Sequence, residues 1–278
     1  MVLPHAVRQR AQGPVQIASE LVIHRPMSKG GARMAFGQGV SVWVLDAPNG
    51  LGVAEYHAHH AIQITAALQG ELALSTSEYD LSAPILAVGA DVRHRIDASG
   101  LLAFVFVEPE SRAGRALSET LFAGRDMVAL AEARVMQTLA PLSGTVAAHL
   151  TSEQLLDVGR AVVAVLSPAT EPPLPDPRIQ RIIEYAADHL DQPLTLSAAA
   201  QGIYLSPSRL RHLFVEQTGV AFKTYLLWLR LIRAVQIYSQ GQGSLTEAAH
   251  AAGFADSAHF SRVFKRTFGS PATSLPRV

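Results

Sequence analysis

The chain has 278 residues, of which 49% are apolar, and its formal net charge is zero. This length accommodates two domains, and the composition excludes a disordered chain because each domain can bury a core. Cysteine is absent, which excludes disulfides and cysteine-based zinc sites and favours a cytoplasmic location. Met1–Gln16 lacks the apolar core of a signal peptide, and the longest apolar run, Leu101–Val107, is too short to cross a bilayer. A membrane partner is therefore not expected.

Short β-strands are predicted between about residues 19 and 108. Turn residues at 48–50, 69–70 and 99–100 separate alternating apolar stretches, and such spacing indicates a barrel or a sandwich. The predicted strands are Val40–Leu45, Ile62–Leu68, Glu71–Thr76, Ile85–Val88 and Leu101–Val107. After Pro109 the pattern becomes helical around Leu117 and Leu121, then over Met127–Leu139 and Thr151–Leu166. We expect a barrel in residues 1–110 and a helical extension in 111–166 that packs on the barrel or on a second subunit of a homodimer.

A proline-rich linker divides the chain. Residues 167–177 contain five prolines in eleven residues, which favours an extended spacer over a helix. The charge also changes at this point: residues 178–278 hold 11 Lys and Arg against 6 Asp and Glu, whereas the preceding residues hold 12 against 17. Positive charge supplies most of the sequence-independent attraction to DNA phosphates, so the net positive charge of the second domain is suited to DNA binding.

The second domain contains an internal repeat. Ala198-Ala199, Ser206, Leu213-Phe214 and Gly219 recur fifty residues later as Ala248-Ala249, Asp256, Val263-Phe264 and Gly269. Ser206 and Asp256 are suited to cap a helix N-terminus, and each following helix has one apolar and one basic face. A helix over 222–240, about 28 Å long at 1.5 Å per residue, joins the two units. The pattern predicts an all-α domain with two helix-turn-helix units in residues 178–278.

Residues 199–214 and 251–269, including the segment Gly-Phe-Ala-Asp-Ser-Ala-His-Phe-Ser-Arg-Val-Phe-Lys, resemble the paired helix-turn-helix domain of AraC/XylS-type transcriptional regulators. The resemblance implies double-stranded promoter DNA and RNA polymerase as partners. It also implies two contact sets, one for each recognition helix. Base edges would be read by Ser208, Arg211 and His212 in the first and by Ser257, Ala258 and Arg262 in the second, with Arg209, His259, Lys265 and Arg266 nearer the phosphates.

A histidine cluster is the other chemical feature of the chain. His57, His59, Gln63 and Gly70 resemble the first motif of cupin barrels, with Gln63 where that motif has glutamate, and His94 lies in a degenerate second motif. The resemblance implies an α+β protein whose cupin-like sensor barrel binds an effector through His57, His59, Gln63 and His94. His60 is expected to point to the opposite side of an extended strand, as a surface residue or behind the cluster.

Three imidazoles can hold zinc, nickel or iron(II), so His57, His59 and His94 are candidate metal ligands. Two alternatives stay open: polar residues lining an organic effector pocket, and histidines that satisfy backbone groups. For the whole chain, the leading prediction is a sequence-specific transcriptional regulator, such as an activator, controlled by a small molecule or a metal, and not an enzyme. The alternatives are a metal-dependent cupin enzyme, for example a dioxygenase, with an accessory DNA-binding domain, and an architectural DNA-binding protein without a sensor.

Overall fold

The computed structural model describes residues 31–52, 54–130, 133–143, 149–167 and 175–275. The predicted strand region before residue 31 and residues 168–174 of the predicted linker lie outside these ranges. Within them, an antiparallel sheet is followed by a helical domain, which confirms the predicted α+β class. None of the described helices is both long enough and apolar enough to span a membrane.

The described residues contain seven strands: β1 (Ala32–Phe36), β2 (Val40–Ala47), β3 (Ile62–Ser75), β4 (Asp80–Ser82), β5 (Ile85–Val88), β6 (Arg95–Val107) and β7 (Met127–Ala129). They form one antiparallel sheet in the order β1-β2-β6-β3-β5-β7, with β4 paired to β3. Within the described residues this path does not return from β7 to β1, so the hydrogen-bonded barrel is not closed. Both faces of the sheet are buried.

The turns predicted at 69–70 and 99–100 are wrong. Both glycines lie inside the two longest strands, where Gly70 pairs with Gly100. Each has a positive φ, 94° and 92°, and a Cβ on either would collide with the backbone carbonyl of the other strand. The two strands bend together at this point, and a bulge between Ala67 and Gln69 accompanies the bend. Ile62–Leu68 and Glu71–Thr76, predicted as two strands, are therefore one strand, and the strand predicted to begin at Leu101 begins at Arg95.

Three helices accompany the sheet: α1 (Arg112–Thr120), α2 (Ala133–Leu139) and α3 (Ser152–Leu166). Helix α3 begins in a capping box at Thr151 and packs its apolar side on β1 and β2. This contact agrees with the first of the two predicted alternatives, packing on the barrel rather than on a second subunit. The predicted helix over Met127–Leu139 is wrong at its start, because Met127–Ala129 pairs with β5 as an edge strand. Dimerisation through these helices stays a prediction.

The C-terminal domain contains α4 (Pro177–Asp188), α5 (Leu196–Ala199), α6 (Pro207–Thr218), α7 (Phe222–Ser239), α8 (Leu245–Ala251) and α9 (Ser257–Phe268). Pro177 is helical, unlike the linker predicted there, because Asp176 caps α4 and proline tolerates the first helical position. The repeat is confirmed: Ser206 and Asp256 accept hydrogen bonds from the backbone N–H groups of Arg209 and His259, at 3.3 and 2.6 Å. Helices α6 and α9 are the second helices of the two units and occupy the positions of the predicted recognition helices.

Candidate functional site

The first recognition helix, α6, presents its predicted contact residues to solvent. Leu210, Leu213 and Phe214 bury one side of the helix in the core of the C-terminal domain. The opposite side is exposed and carries Ser208, Arg209, Arg211 and His212. The helix therefore has the free polar face that docking into a major groove requires.

The second recognition helix, α9, is engaged differently. Ala258, Arg262, Lys265 and Arg266 are exposed, whereas Ser257 and His259 are half-buried, with the His259 ring 5.4 Å from Phe254. Lys265 Nζ forms an ion pair with the Glu55 carboxylate of the N-terminal domain at 2.7 Å. Lys265, predicted to contact a DNA phosphate, is thus paired with a carboxylate of the same chain.

The C-terminal end of α9 docks beside the histidine cluster. The Glu55 N–H donates to the Gly269 carbonyl at 2.9 Å, and a Cβ on Gly269 would lie 2.6 Å from His57 Nδ1. The Phe268 ring packs against Trp43 and His59, with centroids 5.4 and 6.3 Å away. Ligand-dependent changes at the histidines can therefore reach α9 by direct contact.

The structure brings three of the predicted histidines together. His57 and His94 form a backbone bridge, with both N–H to carbonyl distances at 2.8 Å, and His59 follows two residues after His57 on the extended chain. One ring nitrogen from each of His57, His59 and His94 lies within 4.8 Å of the others. All three residues are buried, as is Gln63 beside His59.

Backbone carbonyls lie beside Nδ1 of all three rings. Nδ1 of His57, His59 and His94 lies 2.9, 3.1 and 2.9 Å from the carbonyls of Glu55, Ala61 and Val92. Since a neutral imidazole has one N–H, His57 and His94 donate from Nδ1 and keep a lone pair on Nε2, whereas His59 has a second acceptor, the Gln63 oxygen, 2.9 Å from its Nε2. Second-sphere carbonyls of this kind orient the histidines of metal sites.

Electrostatics keep the cluster neutral. Burial lowers the pKa of His57, and burial with the neighbouring imidazoles lowers those of His59 and His94 to about 4 and about 2. His94 Nε2 has no hydrogen-bond partner among the described residues. Three neutral imidazoles whose ring nitrogens converge, with Nε2 of His94 unpartnered, fit a divalent ion.

Gln63 stands where the cupin motif has glutamate. Its side-chain amide lies 2.9 Å from His59 Nε2 and 2.8 Å from Thr65 Oγ1. The amide oxygen faces His59 Nε2 and the NH₂ group donates to Thr65 Oγ1, so the neutral His59 ring has an acceptor beside each nitrogen and donates to one of them. Gln63 therefore holds His59 in place and brings no negative charge to the site.

The prediction that His60 could be a surface residue is wrong. His60 is 3% exposed, and its two ring nitrogens lie 3.0 Å from Asp91 and 3.2 Å from Glu110. Burial lowers its pKa, but the hydrogen bonds to Asp91 and Glu110 outweigh that effect and raise the pKa to about 9. Glu110 also accepts a 2.5 Å hydrogen bond from the Tyr225 hydroxyl on α7, so a buried network joins the two domains.

Sequence reasoning missed the contacts between the domains. Glu55, Trp43 and Glu110 carry no motif, and their partners Lys265, Phe268 and Tyr225 lie more than 100 positions away. The one available signal was Phe268, which extends the apolar face of α9 beyond the repeat and needed a partner outside its own unit.

Comparison with known proteins places the C-terminal region. Residues 199–277 match a family described as a helix-turn-helix domain. The arabinose operon regulatory protein of Salmonella typhimurium is 34% identical over 109 residues, covering 39% of this chain and 38% of that protein. The transcriptional activator RhaS of Escherichia fergusonii is 35% identical over 94 residues, covering 34% of each. The aligned region thus spans about two fifths of these curated relatives or less.

The overall fold also has a solved counterpart. ToxT of Vibrio cholerae superposes with a TM-score of 0.55 at 12% identity, covering 89% of this chain and 99% of that one. At this identity the likeness concerns the fold alone. Sequence similarity assigns the second domain: residues 199–277 belong to the helix-turn-helix family, in agreement with the predicted resemblance to AraC/XylS-type regulators.

Proposed function

We propose that this protein is a sequence-specific DNA-binding transcriptional regulator whose N-terminal, cupin-like domain senses a ligand and controls the second recognition helix. The observation that carries the proposal is the direct contact of α9 with the histidine cluster through Gly269 and Phe268, and with the adjacent Glu55 through Lys265. Sensor and DNA reader thus share one interface. The relatives with matching sequence are named regulators and activators, which supports this function over a cupin enzyme.

The DNA-binding role rests on the two recognition helices. Each has a buried apolar face and an exposed face with two or three cationic residues. Helix α7 has 18 residues, so it separates the two units by roughly 27 Å at 1.5 Å per residue, of the order of one turn of B-DNA. One chain would therefore read two successive segments of the major groove. RNA polymerase contact and homodimerisation remain predictions from the family resemblance.

For the sensor, we infer a divalent metal, zinc, nickel or iron(II), held by His57, His59 and His94. Such an ion would bring positive charge and fixed geometry to a buried site whose residues are neutral. The ion would then tie His57 and His94 together. His57 Nδ1 would in turn hold the backbone carbonyl of Glu55, whose side-chain carboxylate pairs with Lys265. An organic effector bound at the same residues is the alternative, and a structure of ToxT bound to an unsaturated fatty acid is an example of an organic ligand in a protein of this fold.

Elemental analysis after incubation with each metal and desalting tests the sensor proposal. We expect about one ion per wild-type chain and a large loss of metal in His94→Ala. His149→Ala is the matched control, because His149 is exposed and outside the cluster. Equal metal content in both variants, or none in the wild type, would exclude this metal site and leave the organic-effector alternative.

A further inference from the structure

A small cavity lies where the sheet interior meets the second helix-turn-helix unit. Its volume is about 140 Å³. The N-terminal domain contributes Trp43, Phe104 and His57 to its wall, and the C-terminal domain contributes Phe264, Phe268 and Leu275. An apolar cavity of about 150 Å³ accommodates a ligand the size of benzene. The space therefore suits a single-ring molecule.

One polar atom of the wall lacks a partner. Trp43 is 6% exposed, and its indole Nε1 has no hydrogen-bond partner among the described residues. An indole N–H can only donate, and a buried donor without an acceptor is costly to the folded state. A ligand with an oxygen acceptor would remove that cost.

The wall also sets the charge of the occupant. Among the described residues that line the cavity there is no Asp, Glu, Lys or Arg, and His57 is the one ionisable side chain. In the metal-free protein a carboxylate would be buried here with no lysine or arginine in the wall to pair with, which is strongly unfavourable. A neutral carbonyl, ether or hydroxyl oxygen has no such penalty.

We propose that this cavity binds a compact, neutral, largely apolar single-ring molecule with one oxygen acceptor that receives the Trp43 indole N–H. This proposal rests on the proposed sensing role of the N-terminal domain and names a ligand class for it. Because Phe264 and Phe268 form part of the wall, the occupant would touch the second recognition helix directly. Both domains are thus required for the complete site.

The test uses the full chain, freed of metal with a chelator and labelled with ¹⁵N-indole tryptophan. The chain has two tryptophans, so the spectrum has two indole signals, and Trp228→Phe assigns them. The probes are cyclohexanone, cyclohexene, which has the ring without the oxygen, and cyclohexanecarboxylate. We expect cyclohexanone to shift the Trp43 indole proton downfield in a saturable titration and to bind more tightly than either other probe.

The variant Trp43→Phe removes the donor and keeps an aromatic ring. It should weaken cyclohexanone binding by about two- to tenfold, the range for one hydrogen bond, and leave cyclohexene binding within twofold. Calorimetry or a ligand-observed titration measures both. No saturable change at Trp43, or carboxylate binding as tight as ketone binding, would overturn the proposal. Promoter binding by the same preparation, measured by gel shift, tests the proposed function separately.

Discussion

Replacing Gly269 with alanine should separate the second recognition helix from the sensor. Gly269 ends α9 with φ +71°, and a Cβ would lie 2.5 Å from the Glu55 carbonyl and 2.6 Å from His57 Nδ1. Left-handed backbone alone costs an L-residue about 1–2 kcal/mol. The collision adds to this or is relieved by undocking, which also breaks the hydrogen bond from Glu55. We therefore expect Gly269→Ala to lower the free energy of unfolding by about 2–4 kcal/mol.

The internal repeat supplies a matched control. Gly219 ends α6 with φ +80°, and a Cβ there would meet nothing within 4 Å. Gly219→Ala should thus cost only the backbone term, about 1–2 kcal/mol. Denaturant unfolding of both variants measures the difference, and limited proteolysis reports whether Gly269→Ala exposes the segment between the domains. Equal destabilisation of the two variants, within about 0.5 kcal/mol, would refute the docking argument.

Three further substitutions test the account. Glu55→Gln removes the ion pair with Lys265, in which the Glu55 side chain is 64% and the Lys265 side chain 50% exposed. We therefore expect promoter affinity to rise by at most about fivefold, the equivalent of about 1 kcal/mol, in a gel shift at fixed salt. A fall in affinity would contradict competition between Glu55 and DNA for Lys265. Arg262→Ala should cost about 1–3 kcal/mol of DNA-binding free energy and relax the preference at one base pair. Lys265→Ala should instead weaken binding to all DNA sequences equally and reduce the slope of log affinity against log salt concentration by about one. The opposite pattern would exchange the roles of the two residues. Burial and the nearby Glu110 raise the pKa of Glu108 from its usual 4.5 to about 7, so its contribution to stability is intact below pH 4.5 and is lost as the pH rises through 7. Glu108→Gln should remove this loss, so its free energy of unfolding at pH 8 should exceed that of the wild type by about 1–2 kcal/mol. Identical dependence of the unfolding free energy on pH in the two proteins would show that Glu108 does not titrate in this way.

Local chemistry made much of the C-terminal domain predictable. Ser206 and Asp256 cap helices through contacts three residues away, and the apolar positions of α6 and α9 recur at helical spacing. The same holds for His57 and His59, whose alternation on an extended chain turns them to one side. These features depend on neighbours in sequence, so a single sequence contains them.

Long-range geometry could not be predicted in the same way. Glycine and a polar neighbour indicate a turn, but Gly70 and Gly100 serve a bend shared by two paired strands, and only the pairing register distinguishes the two cases. His60 alternates away from His57 as expected, yet Glu110 and Tyr225 from other elements cover it. The docking of α9 on Glu55 likewise depends on contacts across some 210 residues.

A DNase footprint on the promoter regions that flank the gene is the most direct test of the central claim, that two recognition helices on one chain read DNA. Wild-type protein should protect two segments about 10 base pairs apart on one face of the duplex. Arg211→Ala should lose one segment and Arg262→Ala the other, because the residues lie on α6 and α9 respectively. Absence of protection at these promoters, or loss of the same segment in both variants, would contradict the account.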